Sequence, residues 1–200
     1  FLNVGIFGGE LWLHTGGAGW SKEVTTANFA TAGITFSTTV QCFCVTYNNV
    51  FVINDGVNRP FTWDGTAGAT GLTSLTNAPA KCYGAPAVYY AKLFFIKDVA
   101  ASSADRSTIA WSEENAQNTG YEAGGYANAW TLEQNGTGAI YALYGKNEGL
   151  YYWRARGIGI IRGPVGPNFS TTGVHDGVST VYGTTTPSVV DADGDLYFLN

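Results

Sequence analysis

Asp191-Ala192-Asp193-Gly194-Asp195 sets three carboxylates at alternate positions, the spacing with which a calcium loop begins. Such a loop needs glycine at its sixth position and a bidentate Glu at its end, whereas here glycine comes fourth and no Glu follows. The stretch reads as a tight hairpin turn. Glu113 and Glu114 beside Trp111 are the residue types of a glycoside-cleaving pair, but such carboxylates must flank a bond from two sides, and neighbours in a loop are usually just solvated. His14 and His175 have no Ser or Cys partner at a spacing that suggests a triad. Nothing in these residues points to a catalytic, metal or cofactor site.

Cys42, Cys44 and Cys82 make neither a disulfide framework nor a zinc site. Cys42 and Cys44 lie two apart in "TTVQCFCVTY", so on a strand they share a face, and they read as small buried apolar groups. Basic residues gather in "KNEGLYYWRARGIGIIRG", which holds Lys146, Arg154, Arg156 and Arg162. If Arg154 and Arg156 share a strand face, they and Arg162 form a cationic ledge toward a channel, a partner's carboxylates or nucleic acid. The alternative is the polar side of a half-buried strand.

The elements that position these residues are strands. No apolar spacing of three and four persists long enough for a sizeable helix, while short aromatic ribbons follow turns throughout the chain. Leu11 in "GGELWLH", Val50 in "YNNVFVIND", Leu93 in "YAKLFFIKD", Leu150 in "NEGLYYWRA" and Leu196 in "DGDLYFLN" anchor five such ribbons, 39, 43, 57 and 46 residues apart. A period of about 40 to 50 residues with four short strands per unit is the mark of a β-propeller. Asp55-Gly56, Asp64-Gly65 and Asp193-Gly194 supply turns that need positive φ. The expected fold is all-β: one domain over residues 1–200, a β-propeller of about four to five blade-like repeats of four antiparallel strands, incomplete in this chain. Trp12, Phe51, Phe94, Tyr151 and Tyr197 recur from ribbon to ribbon, which favours packing between blades over sugar stacking.

Composition narrows the partners. Only 12% of the 200 residues are charged, so Thr, Asn, Ser and Gly must cover much of the surface, as suits stable assembly. The net charge of −5 comes from scattered acids, which argues against a nucleic-acid-binding stripe or a polybasic membrane anchor. No stretch is long and apolar enough to span a bilayer, and Phe1 does not open a signal-peptide pattern.

The widest interval, between Leu93 and Leu150, contains "DVAASSADRS" and "EENAQNTGYEAGGYANAW". These read as loop insertions over 98–106 and 113–129, with Glu114, Asn118, Tyr121 and Tyr126 as candidate partner contacts. The whole of Ala100 to Trp130 is expected to touch a neighbouring subunit or a fibre, and loss of Glu114 to Tyr126 to spare folding. The chain lacks Met and carries the same tripeptide at Phe1-Leu2-Asn3 and Phe198-Leu199-Asn200, so the expectation is a portion of something longer, cut inside a blade.

The stretches "VFVINDGVNRPFTWDGT" and "TIAWSEENAQNTGYEAGGYANAWTLEQNGTGAIYALYGKNEGLYYWRARGIGIIRGPVG" are similar to parts of tailed-bacteriophage structural proteins. The family is that of the propeller-containing nozzle, tail-tubular and packaged-DNA-stabilising hub proteins. "TTTPSVVDADGDLYFLN" resembles the opening of the family's following blade. The resemblance implies a non-enzymatic virion tail component below the portal, a homo-oligomeric ring (a hexamer), contacts with portal-adaptor and other tail proteins or fibres, and DNA passing without sequence-specific binding. A carbohydrate-binding or glycoside-cleaving propeller and a protein-interaction scaffold are the alternatives. The first predicts a solvent-open pocket of clustered Asp, Glu and Arg, the second a peptide groove on a closed disc.

Overall fold

The computed structural model describes residues 3–14, 19–37, 39–98, 105–121, 128–132, 139–163, 174–179, 182–187 and 189–199. They form an all-β structure of five antiparallel sheets in chain order. The first holds β1 (Asn3–Phe7), β2 (Glu10–His14) and β3 (Trp20–Val24), and the second β4 (Phe43–Tyr47), β5 (Val50–Asn54), β6 (Phe61–Trp63) and β7 (Leu72–Ser74). The third holds β8 (Cys82–Tyr89), β9 (Lys92–Lys97), β10 (Thr108–Glu113), β11 (Ala116–Gly120) and β12 (Ala129–Thr131). The fourth is β13 (Ile140–Lys146), β14 (Gly149–Arg154), β15 (Gly157–Arg162) and β16 (Val174–Ser179), and the fifth β17 (Val189–Ala192) and β18 (Asp195–Phe198). One short helix, α1 (Thr26–Thr31), starts at Thr25, whose backbone N–H and hydroxyl both donate to Asn28 Oδ1.

Each sheet is a meander, and the strand alternation explains why both faces of the middle sheets are buried. Along β5, Val50 and Val52 pack toward the third sheet, while Phe51 and Ile53 pack toward the first. Along β9, Leu93 and Phe95 look back to the second sheet and Phe94 and Ile96 onward to the fourth. Leu150 and Tyr152 of β14 complete the cluster with the third sheet, and Trp153 on the other face lies 6.1 Å from the Phe198 ring. A fully buried side chain of this size contributes about 1.5–3 kcal/mol, so the stack is held by sheet-on-sheet burial.

Consecutive sheets approach through their first strands, β8 against β4 and β13, and β13 against β17. A Cβ on Gly84 of β8 would come to 3.1 Å from Tyr141 O and from Pro187, and one on Gly145 of β13 would overlap the Val88 carbonyl. Asn54, fully buried, donates from Nδ2 to Gly84 O at 2.7 Å and Cys82 O at 3.2 Å, stitching the second sheet to the third.

Two expectations about the repeat change in the structure. Two-residue turns pair Tyr47 with Val50, Tyr89 with Lys92, Lys146 with Gly149 and Ala192 with Asp195. The register partner of Leu93, Leu150 and Leu196 is therefore Phe51, not Val50. The second difference is the first sheet. Phe7 pairs with Glu10, which makes Leu11 and Leu13 the equivalents of Leu93 and Phe95. Yet Leu11 and Leu13 face onward, onto Phe29 of α1 and Ile53, Phe61 and Trp63 of the second sheet. The reason lies on the other face, where Glu10 pairs with Lys22 at 3.1 Å and Lys22 sits over Trp12. Burying that charged face on Phe51 and Trp63 would cost more than turning the ribbon over.

The described part of the span 113–129 is largely strand, and residues 122–127 lie outside the described residues. β11 pairs with β10 at Ser112 and Glu113, and β12 pairs with the same edge at Thr108 to Ala110. Between them the chain leaves at Tyr121 and returns at Asn128: Tyr121 N–H donates to Trp111 O at 2.8 Å, and Trp111 N–H to Asn128 O at 2.9 Å. The outer strand is split at Trp111 without leaving that residue's backbone unpaired. Residues 99–104 of the other expected insertion lie outside the described residues.

Candidate functional site

The four candidate contact residues separate. Glu114 is exposed in the turn after β10. Asn118 bonds to the segment that follows β7: it accepts from Asn77 N–H at 3.1 Å, its carbonyl accepts from Asn77 Nδ2 at 2.8 Å, and its amide donates to Thr76 Oγ1 at 3.2 Å. Tyr121 is buried at 1% exposure against Phe95, with its hydroxyl donating to Gln117 O at 2.8 Å. It is a core residue, so loss of Glu114 to Tyr126 would remove a strand and a core aromatic and would not spare folding. Tyr126 lies outside the described residues.

The cationic ledge does not form, because a hairpin turn intervenes. Arg154 ends β14, Ala155 and Arg156 make the turn, and Arg162 stands at the far end of β15, opposite the start of β14. Arg154 is 3% exposed, donates from Nη2 to Leu132 O at 3.2 Å and lies over the Tyr152 ring at 5.7 Å. Its own carbonyl accepts Thr184 N–H at 2.8 Å, tying the fourth sheet to the chain entering the fifth. Arg156 and Arg162 are exposed and apart.

The other groups with chemical potential are occupied structurally. Asp191 accepts Gly194 N–H at 3.1 Å and lies 3.8 Å from Lys146 Nζ, as part of a β17–β18 turn with Asp193 at φ 54° and Gly194 at φ 89°. Glu113 pairs with Lys92 at 3.4 Å and accepts Asn128 Nδ2 at 2.7 Å. Among the described residues no three His, Cys, Asp or Glu side chains gather as metal ligands. All three cysteines are free thiols; Cys42 is half-buried and Cys44 exposed, because Cys44 falls on the outward face of β4 and Cys42 precedes that strand. Only Cys82 is the buried apolar group expected.

Sequence reasoning passed over one concave feature. The turn joining β8 to β9 is Tyr90-Ala91, with both residues at positive φ (49° and 51°). Three of the matching turns use Gly8-Gly9, Asn48-Asn49 and Asp193-Gly194, residues that tolerate this conformation, while the β13–β14 turn, Asn147-Glu148, does not adopt positive φ. The Tyr90 ring is 54% exposed and meets the buried Tyr89 ring edge-on, with centroids 4.8 Å apart and planes at 86°. This corner opens on a cleft of about 330 Å³, whose other walls are Val88, Gly145, Lys146 and Asn147. The legible signal was the misfit of Tyr-Ala in a slot that the first, second and fifth sheets fill with Gly, Asn or Asp.

A second cleft, of about 490 Å³, runs beside α1 between Phe29, Ile34 and Phe36 and offers only the hydroxyls of Thr26 and Thr35. No described helix is long and apolar enough to cross a membrane. Compared with known protein families the chain matches none, and no curated protein matches it either.

Proposed function

We propose that the chain is a structural component of a tailed-bacteriophage virion tail, of the nozzle or hub type, in which the second to fifth sheets are successive blades of a β-propeller. The observation that carries the reading is the constant direction of stacking across those sheets. The Phe51, Leu93, Leu150 and Phe198 faces each look back to the sheet before, while the first strands crowd together at Gly84 and Gly145. Strands converging on small residues at one side and spreading at the other fit radial wedges. The resemblance to phage proteins supplies the rest: a ring around a DNA conduit, docking neighbouring tail proteins or fibres. The structural use of Glu113, Asp191 and Arg154 agrees with an assembly role.

Within this reading the first sheet is an adaptor and not a blade of the same series, because its ribbon is turned over and backed by α1. The test is native mass spectrometry of the full-length protein at micromolar concentration. A closed oligomer of six copies is expected. A chain that stays monomeric would overturn the ring.

A further inference from the structure

We infer that the cleft at the Tyr89–Tyr90 corner is a saccharide-binding site, taking one neutral pyranose ring, free or at the end of a glycan. Backbone conformation is the first reason. Tyr90 and Ala91 hold left-handed φ values that residues other than Gly, Asn and Asp avoid, and the ring contact that Tyr90 makes within the turn is the edge-on one with Tyr89. Ala91 has a structural task, since its carbonyl accepts the Tyr47 hydroxyl at 2.6 Å and the Asn115 N–H at 2.9 Å. Tyr90 is over half exposed, so burial does not offset its strain.

The second reason is shape. Two rings at 86° give a flat face and a perpendicular wall, the arrangement on which the apolar face of a sugar ring can lie while its hydroxyls reach polar neighbours. Asn147 is exposed at the rim, and its amide both donates and accepts. The close approach of β13 to β8, which only glycine at 145 permits, brings the Lys146-Asn147 turn beside the tyrosines. Charge selects the ligand class. The Lys146 ammonium is committed to Gly194 O at 2.5 Å, Glu148 at 3.7 Å and Asp191 at 3.8 Å, so this cation, the one among the described lining residues, contributes its stem to the wall and is not aimed at an anionic ligand. The volume of about 330 Å³ admits one ring and part of a second.

The site stands independently of the virion reading. The test is saturation-transfer NMR and calorimetry on the full-length protein with glucose, galactose, N-acetylglucosamine and maltotriose. The comparison variants are Tyr90→Asn, which suits the turn, and Asn147→Ala. At least one sugar should bind with a dissociation constant of roughly millimolar order, as expected for a ligand of about a dozen heavy atoms. Tyr90→Asn should weaken it by at least about tenfold while leaving the protein folded and no less heat-resistant, and Asn147→Ala by a few-fold. A free monosaccharide that binds as well as maltotriose places recognition in a single ring; tighter binding of the trisaccharide marks a glycan end. Absence of saturation transfer from every sugar at 50-fold excess over the protein, or binding unchanged by Tyr90→Asn, would overturn the site.

Discussion

The backbone of Gly145 in β13 lies against the carbonyl of Val88 in β8, so close that a single added Cβ would occupy the same space as the Val88 oxygen. That contact joins the first strands of the third and fourth sheets. Gly145→Ala should cost about 3 kcal/mol, the upper range for forced overpacking, read as a lowered urea midpoint. Gly194→Ala, at φ 89° with open space around it, should cost about 1 kcal/mol through backbone strain alone. Equal costs would mean that the strand approach carries no special weight.

The strain at Tyr90-Ala91 predicts a gain. The double change Tyr90→Asn with Ala91→Gly turns the β8–β9 hairpin into the Asn-Gly form that left-handed turns favour, and should stabilise the protein by about 1–2 kcal/mol. The hydrogen bonds at the residue-91 carbonyl come from backbone oxygen and persist. Thermal unfolding would show a rise in Tm; a fall would mean that the turn is relaxed in the native protein.

Arg154 and Arg156 separate two accounts of the basic run. Arg154→Ala should destabilise by about 3 kcal/mol, because it removes a buried guanidinium from Tyr152 and leaves the Leu132 carbonyl short of a donor. Arg156→Ala, in an exposed turn, should fall within about 0.5 kcal/mol of the parent. A cationic ledge would give the opposite pattern in denaturation: two stable variants with altered ligand or partner binding.

Alkaline pH should loosen the joint between the second and third sheets. Burial pushes the Cys82 thiol well above its ordinary value, and burial also raises the Tyr121 hydroxyl in the same cluster. In the unfolded chain the thiol ionises near about pH 8.5 and the phenol near about pH 10. Between each of those values and the higher folded one, the native state holds a proton that the unfolded state has lost. Stability is therefore complete below about pH 8.5 and falls as pH rises, by up to about 1.4 kcal/mol per pH unit for each group. Urea unfolding of Cys82→Ala from pH 7 to 10.5 should show the earlier fall made shallower, since burial also raises the Cys42 and Cys44 thiols, and the later one kept.

Much of the fold was legible because both strand signals and turn signals are local. Alternating Leu and aromatic residues marked the ribbons, and Asp-Gly pairs marked turns that the structure places at positive φ, Gly56 at 74°, Gly65 at 89° and Gly194 at 89°. What the sequence hid depends on pairing across a distance. β11, Ala116-Gln117-Asn118-Thr119-Gly120, has no apolar alternation, and its strand state comes from the edge of β10. The one-residue offset of Val50 from Phe51 follows from turn length, and the turned-over first ribbon from a charge pair between β2 and β3. Arg154 and Arg156 appeared to share a face because the turn at Ala155 carries neither Gly nor Pro to announce it.

The account's central claim is that the second to fifth sheets are wedges set around one axis, first strands innermost. A cryo-electron-microscopy reconstruction of the assembled protein, at a resolution that separates strands, tests it most directly. The predicted map has β4, β8, β13 and β17 side by side around a common axis, with later strands progressively farther out. Two layers of sheets pressed face to face, with those four strands dispersed, would contradict it.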